Sequence, residues 1–124
     1  MNILKMLRSF RYGFKGIAWL VESENNARFH LLASVIVLLL GLYFRISTTE
    51  WAIVLTQVGL VWSAEALNTA IEKLCDFVSP QHHETIGKVK DLAAGGVLIV
   101  SIVAAIIGLI VFLPKIWDVI LKFQ

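Results

Sequence analysis

The sequence is poor in cysteine, proline and charge. Of its 124 residues, one is cysteine, two are proline and only 16% are charged. The single cysteine, Cys75, excludes an intrachain disulfide and gives no basis for a cysteine metal site. A small soluble domain could not bury the apolar surface of a chain that is 58% hydrophobic, with a mean hydropathy of +0.80. The composition therefore predicts a one-domain membrane protein.

Two sequence patterns are also missing. There is neither a G-x-x-x-x-G-K-[ST] loop nor a protein-kinase signature, so any bound nucleotide would be held by side chains and metal. Basic residues interrupt residues 1–20 and leave no compact apolar segment, so we do not expect a cleaved signal peptide. We also expect no nucleic-acid partner.

The N-terminal segment has the pattern of an amphipathic helix. Its apolar residues recur at alternating spacings of four and three, at Ile3, Leu7, Phe10, Phe14, Ile17 and Val21. The basic residues lie off that stripe, as is typical of a helix lying in the membrane interface. We therefore predict a surface helix over residues 1–25.

Three apolar runs follow, and they predict membrane-spanning helices over residues 29–47, 50–78 and 85–113. The first uncharged run is short, but Arg28 and Arg45 at its ends can extend outward to the interfaces. The second needs residues beyond Glu65 to cross, which places Glu65 near one interface. The third is uncharged from Leu92 to Leu113, and we expect Pro114 to end its helix.

The positive charges are distributed unequally across the membrane. Residues 1–28 and the segment from Lys73 to Lys90, around the connection between the second and third spans, carry eight of the eleven lysines and arginines. The positive-inside rule then places the N-terminus in the cytoplasm and the C-terminus outside. The predicted fold is thus an all-α integral membrane protein with a surface helix and three transmembrane helices. Three thin helices enclose a site poorly, so we expect oligomerisation.

The end of the second span is unusually polar. On a helix, one arc of roughly 100° holds five polar side chains: Glu65, Asn68, Thr69, Glu72 and Asp76. Ionised groups at the bilayer centre cost about 2.5–3.5 kcal/mol each by insertion scales, so they imply a function. Carboxylates with nearby bases suit a Mg²⁺–phosphate site. The pattern alone also allows a proton or cation conduit, or an ion-paired bundle without chemistry.

Three sequence blocks resemble the prokaryotic diacylglycerol kinase family. Glu65 to Asp76 resembles its E-x-x-N-[ST]-A-I-E-x-x-x-D signature, residues 90–98 (KDLAAGGVL) resemble a second block, and Glu24-x-Asn26-x-Arg28-x-His30 resembles a third. The blocks occur in the same order and spacing from about residue 8 to residue 113. The resemblance implies a bacterial inner-membrane lipid kinase, a homotrimer whose active sites lie between subunits at the cytoplasmic interface.

The resemblance also implies roles for individual residues. Glu65 would be the catalytic base that takes the proton of the lipid hydroxyl, and Glu24 and Glu72 would hold the Mg²⁺ of ATP. Further ATP contacts are implied at Tyr12, His83, Lys90 and Asp91. Lipid contacts are implied at Arg8, Asn26, Arg28 and Asn68.

Some of these positions have alternative interpretations. Lys5 lies as close as Arg8 to the expected N-terminal contact. Asn68 could orient Glu65 or join two helices, and Asp91 could instead cap the third span. Arg28 and His30 could both be interfacial anchors. Asp76 is interpreted as structural.

The acceptor lipid divides the family into two branches. The motif E-x-N-x-R-x-H and the sequence KDLAAG resemble the undecaprenol kinase branch, because the diacylglycerol branch typically lacks that asparagine and histidine and has serine where Ala94 stands. The sequence therefore predicts phosphorylation of undecaprenol, with diacylglycerol as the alternative acceptor. A conduit and a non-enzymatic scaffold are the alternatives from other classes.

Overall fold

The computed structural model describes residues 3–122, and its regular secondary structure within that range is entirely helical. Four helices follow one another: α1 (Ile3–Ser23), α2 (Asn25–Tyr43), α3 (Thr48–Val78) and α4 (Glu84–Leu121). Short connections make α2, α3 and α4 run up and down, and α3 makes most of the contacts between elements. Residues 24–30, 65–91 and the end of α1 consequently lie at one end of the molecule.

Most of the apolar stripe of α1 is uncovered by the described part of the chain. Ile3, Leu7, Phe10, Phe14 and Ile17 are all exposed, whereas Leu20, near the end of the helix, is buried. A helix with an uncovered apolar face and basic residues elsewhere is suited to the membrane interface. Only the last turns of α1 are therefore held by the rest of the protein.

Among the described residues, two helices are long and apolar enough to cross a bilayer, namely α2 and α4. Only 11% and 17% of their most apolar windows are buried, whereas the core helix of a soluble protein would be mostly buried. α3 is less apolar because its second half carries the polar face. The uncovered apolar surface of α2 and α4 identifies the chain as a membrane protein.

The end of the molecule away from the polar face is fixed by a tight turn. Arg45 has a φ of 49°, and Ser47 begins α3 with a capping box in which its side chain and Glu50 exchange hydrogen bonds with the backbone. Lys115 of α4 donates to Glu50 at 2.7 Å. A small core around Ile46, Val54, Val111 and Phe112 lies beside this connection. These contacts set how α4 packs on α3.

Pro114 does not end the last helix. The prediction that the helix ends there was wrong, because α4 continues through Pro114 to Leu121. A proline inside a helix removes one backbone hydrogen bond and crowds the preceding turn. Here the residues on both sides are held, by the burial of Val111 and Phe112 and by the Lys115–Glu50 ion pair. Local packing thus outweighs the helix-breaking preference of proline.

Candidate functional site

The buried part of the polar face centres on Glu65. Glu65 is only 2% exposed, and Asn68 and Thr69 beside it are also buried. The Oε2 atom of Glu65 has no hydrogen-bond partner among the described residues. His30 of α2 lies beside it, with Nε2 3.8 Å from Oε2. Burying a carboxylate oxygen without a hydrogen-bond partner makes folding less favourable. Such an oxygen is typical of a side chain that is available to bind a ligand.

Glu72 lies one turn beyond Asn68 on the same face. The Asn68 Nδ2 donates to Glu72 Oε1 at 3.2 Å, whereas Asn68 Oδ1 has no partner in the described part of the chain. The spacing of four residues makes this contact possible along one helix. Asn68 is therefore placed between the two glutamates and fixes the orientation of Glu72.

Glu24 reaches the same region from the junction of α1 and α2. Its Oε1 lies 3.1 Å from Lys73 Nζ of α3, and the Lys73 ammonium also lies 5.7 Å from the centre of the Trp19 ring. The charges of Glu24 and Glu72 both act on Glu65. The structure thus brings the three predicted glutamates into one acidic cluster, with Lys73 as its counter-ion.

A second ionic group joins α3 to α4. Lys90 donates to Asp76 at 2.9 Å. Asp76 therefore ties the two helices together, in line with the structural role expected for it. Asp91, exposed beside Lys90, lies well inside α4 and does not cap it. His83 caps α4 instead, because its Nδ1 accepts from the Thr85 N–H at 3.2 Å.

The remaining predicted residues lie on α1 and in the first turn of α2. Arg8, Tyr12 and Asn26 are exposed, the first two on the uncovered part of α1. The Arg28 guanidinium donates to the carbonyls of Val21 and Glu22, so it holds the end of α1 against the start of α2. Within the described part of one protomer, none of these four side chains forms a hydrogen bond or ion pair with the acidic cluster.

Two residues beside the cluster were not among the predicted site residues. His30 was interpreted as a possible interfacial anchor, and Lys73 contributed only to the charge distribution. The position of His30 in the block Glu24-x-Asn26-x-Arg28-x-His30 was the available signal. No sequence signal indicated that Lys73 would pair with Glu24, since that contact depends on how α3 packs against the α1–α2 junction.

The carboxylate oxygens of the acidic cluster are suited to a metal ion that is also coordinated by phosphate. The described residues contain no group of three or more His, Cys, Asp or Glu side chains arranged to hold a metal by themselves. Mg²⁺, however, commonly binds through one or two carboxylates together with substrate phosphates and water. Glu24 and Glu72 are such a pair of oxygen donors.

Comparison with known proteins finds related sequences over most of the chain. The profile of a family described as prokaryotic diacylglycerol kinase matches residues 11–112. An undecaprenol kinase of Bacillus subtilis is 38% identical over 111 residues, which cover 90% of each chain. A diacylglycerol kinase of Synechocystis is 33% identical, over 88% of this chain and 63% of that protein. A diacylglycerol kinase of Escherichia coli is 29% identical, over 82% of this chain and 84% of that protein.

Proposed function

The chain belongs to the prokaryotic diacylglycerol kinase family and is a lipid kinase, and we propose that it phosphorylates undecaprenol with ATP as the phosphate donor. The observation that carries the chemistry is Glu65, a buried carboxylate whose Oε2 has no partner in the described chain. Family membership favours an enzyme over a conduit or a scaffold.

Glu65 acts in this proposal as the general base. The lipid hydroxyl oxygen attacks the γ-phosphorus of ATP, and the bond from that phosphorus to the bridging oxygen breaks, which releases ADP. The hydroxyl proton passes to Glu65 Oε2. A positioned general base contributes about 10²- to 10⁴-fold to such a step. Asn68 supports it by donating to Glu72 Oε1, which orients Glu72 on the helix face that carries the base.

Glu24 and Glu72 would hold Mg²⁺, which when bound neutralises charge on the transferring phosphate. Their placement beside Glu65 supports this role, because nucleotide and hydroxyl must meet at one point. Glu24 is paired with Lys73, so a cation can exchange for the ammonium. Lys73 and Lys90 then provide positive charge close to the phosphates.

The other predicted contacts are retained as proposals. Tyr12, His83, Lys90 and Asp91 are assigned to ATP, and Arg8, Asn26, Arg28 and Asn68 to the lipid. Residues on the uncovered part of α1 lie away from the cluster of their own protomer. Sites shared between subunits of a homotrimer would bring such residues to a neighbouring cluster.

An uncovered stripe on α3 supports assembly. Small side chains recur there at alternating spacings of four and three and are all exposed in the protomer: Ala52, Thr56, Gly59, Ser63, Ala66 and Ala70. Small residues at such spacing allow close approach of helices in membranes. We assign this stripe to the axis of the homotrimer, with α3 as the second of three spans.

The orientation follows the charges. With α2, α3 and α4 crossing the membrane, the acidic cluster and most basic residues share one side, which the positive-inside rule assigns to the cytoplasm. The N-terminus would then be cytoplasmic and the C-terminus outside. ATP is available on that side, and a membrane alcohol can reach the same interface from the bilayer.

The similarity to the Bacillus enzyme favours undecaprenol as the acceptor, and the diacylglycerol kinases among the relatives make diacylglycerol the second candidate. The test uses purified protein in a bilayer with Mg²⁺ and ATP labelled in its γ-phosphate. We expect label in a lipid-soluble phosphate monoester of undecaprenol. Release of labelled inorganic phosphate alone, without a labelled lipid, would contradict the proposal.

A further inference from the structure

Lys73 lies at the edge of the polar face of α3, next to the acidic cluster. At about 100° per residue, it is turned by about 80° from Glu65 around the helix axis. Its side chain is half-exposed, and its Nζ atom lies 3.1 Å from Glu24 Oε1, across the junction of α1 and α2. The lysine therefore contacts one proposed metal ligand directly and follows the other, Glu72, in the sequence.

We propose that Lys73 makes the site selective for a divalent cation that arrives together with a nucleoside triphosphate. In the empty site its ammonium pairs with Glu24, and in the loaded site it pairs with a phosphate oxygen of the nucleotide. The inference rests on the proposed function, because it takes Glu24 as a ligand of the Mg²⁺ that accompanies ATP. It goes beyond that function by coupling the binding of the metal to the binding of the nucleotide.

The empty site needs a positive charge of its own. The charges of Glu24 and Glu72 both act on Glu65, and like charges held close together repel one another. Within residues 3–122, the cation that forms an ion pair with Glu24 is Lys73. Its ammonium therefore offsets part of the repulsion among three carboxylates that the fold brings to one place.

Two other cations at this end of the molecule are engaged elsewhere. Lys90 donates to Asp76 at 2.9 Å. The Arg28 guanidinium donates to two backbone carbonyls at the end of α1. Among these three described cations, Lys73 is the one whose ion pair is with a proposed metal ligand.

The Trp19 ring attracts the same ammonium from another side. Its centre lies 5.7 Å from Lys73 Nζ, within the range of about 6 Å for a cation–π contact. Trp19 precedes the buried Leu20, where the end of α1 is held by the rest of the protein. Because the lysine stem is flexible, the ammonium can leave Glu24 and still remain beside the site.

A divalent cation that binds Glu24 without a nucleotide is opposed by Lys73. If the ammonium stays on Glu24, two positive charges share one carboxylate and repel each other. If the ammonium leaves, the ion pair is lost, and a partly exposed pair of this kind contributes a factor of up to about five to binding. In both cases Lys73 weakens the binding of the cation alone.

Nucleotide phosphates reverse the direction of this effect. Mg²⁺ commonly binds through one or two carboxylates together with substrate phosphates, so phosphate oxygens lie next to a metal held by Glu24. The Lys73 ammonium then has an anionic oxygen within reach, and a hydrogen bond between charged groups strengthens binding by about tenfold or more. By linkage, a lysine that favours the nucleotide in the presence of the metal equally favours the metal in the presence of the nucleotide.

The experiment compares two ligands on the full chain in detergent, Mn²⁺ alone and the preformed complex of Mn²⁺ with a non-hydrolysable ATP analogue. Electron paramagnetic resonance of unbound Mn²⁺ measures the first dissociation constant, and equilibrium dialysis of the complex measures the second. For Lys73→Met we expect Mn²⁺ alone to bind up to about fivefold more tightly and the complex to bind about tenfold more weakly. A purely structural role would not move the two affinities in opposite directions.

Three further variants control for charge and for packing. Lys73→Gln removes the charge but keeps a polar side chain, and it should show the same two opposite changes. Lys73→Arg keeps the charge and should stay closer to the unmodified chain than Lys73→Met in both affinities. Lys88→Met removes an exposed lysine that pairs with Glu84, and it should change neither affinity.

Unchanged or tighter binding of the complex by both Lys73→Met and Lys73→Gln would overturn the inference. Weaker binding of both ligands by these variants would overturn it as well. Either outcome leaves the proposed function intact as long as the unmodified chain labels a lipid alcohol from ATP. A failure of the proposed function shows instead in the unmodified chain, as the absence of any labelled lipid phosphate.

Discussion

At the scale of single residues, the proposed mechanism depends on Glu65, a carboxylate that the fold buries without a partner for Oε2 among the described residues. Burial of Glu65 beside His30, with Glu24 and Glu72 nearby, is unfavourable unless a ligand uses the free oxygen. A phosphate-transfer reaction supplies that ligand in the acceptor hydroxyl. The burial of Glu65 lowers the free energy of unfolding, as is expected of an active site that is arranged for its ligand before the ligand binds.

Glu65→Gln tests the base directly. The amide keeps the size of the side chain but cannot accept the hydroxyl proton, so we expect kcat to fall by at least about 100-fold. KM for ATP should change little. The measurement is initial-rate kinetics with both substrates varied. Glu22→Gln, at an exposed position on α1, is the matched control and should keep full activity. A Glu65→Gln variant with normal kcat would remove Glu65 from the mechanism.

Lys73→Met tests the counter-ion of the acidic cluster. Removing the ammonium leaves Glu24 without its 3.1 Å partner, so a divalent cation no longer has to displace it. Since a partly exposed ion pair is worth about 0.2–1 kcal/mol, we expect Mn²⁺ to bind up to about fivefold more tightly in the absence of nucleotide. Electron paramagnetic resonance of free Mn²⁺ measures this. Lys88→Met, which breaks an exposed pair with Glu84, should have no effect, and weaker binding in Lys73→Met would contradict the account.

The sequence predicted the polar face of α3 but not its partners. Helical periodicity was sufficient to place Glu65, Asn68 and Glu72 on one side of a helix, because that arrangement is set within one element. The approach of His30 and Lys73 depends on packing between elements, which periodicity does not encode. The roles of individual residues in binding ATP or lipid remain predictions.

At the scale of helices, the connection between α2 and α3 is tightly packed around Gly41. A Cβ at Gly41 would lie 2.7 Å and 2.9 Å from two atoms of the Trp51 ring, and 3.2 Å from Ile46. Only glycine allows this approach without displacing the ring. The turn places α2 against α3, and so places His30 beside Glu65.

Gly41→Ala should therefore destabilise the protein despite the better helix propensity of alanine. We expect a loss of about 1–3 kcal/mol, as for overpacking of a tight core. Thermal unfolding in detergent, followed by circular dichroism, measures it. Gly95→Ala is the control, because a Cβ there meets nothing within 4 Å. A Gly41→Ala variant as stable as Gly95→Ala would show that the Trp51 contact does not constrain the turn.

The continuation of α4 through Pro114 also depends on contacts between helices. Proline reliably ends a helix only where no other contact stabilises the turn that follows it. Residues 111 and 112 are buried in the small core and Lys115 pairs with Glu50, so the helix is supported on both sides of the proline. That support comes from α3 and cannot be read from α4 alone.

At the scale of the whole molecule, most of the surface is apolar and the buried core is small. A protomer of this kind needs lipid or further copies around it. Composition predicted a helical membrane protein because the chain has more apolar residues than such a small core can bury. It could not specify which faces meet lipid and which meet another copy, because both environments favour apolar residues.

Gly59→Leu tests the assignment of the small-residue stripe on α3 to the trimer axis. A Cβ at Gly59 meets nothing within 4 Å in the protomer, so the variant should fold but no longer assemble closely. We expect loss of the trimer by native mass spectrometry in detergent, with loss of activity. Gly96→Leu should still form trimers. A trimeric Gly59→Leu would place the interface on another face.

The central claim is that a membrane-buried carboxylate serves the phosphorylation of undecaprenol. The most direct test is competition between undecaprenol and diacylglycerol for the purified protein in one bilayer, with Mg²⁺ and labelled ATP. We predict that the label accumulates predominantly in undecaprenyl phosphate, and that Glu65→Gln forms neither product. Label found predominantly in phosphatidic acid would contradict the assignment of the acceptor, and equal labelling by Glu65→Gln would contradict the assignment of the base.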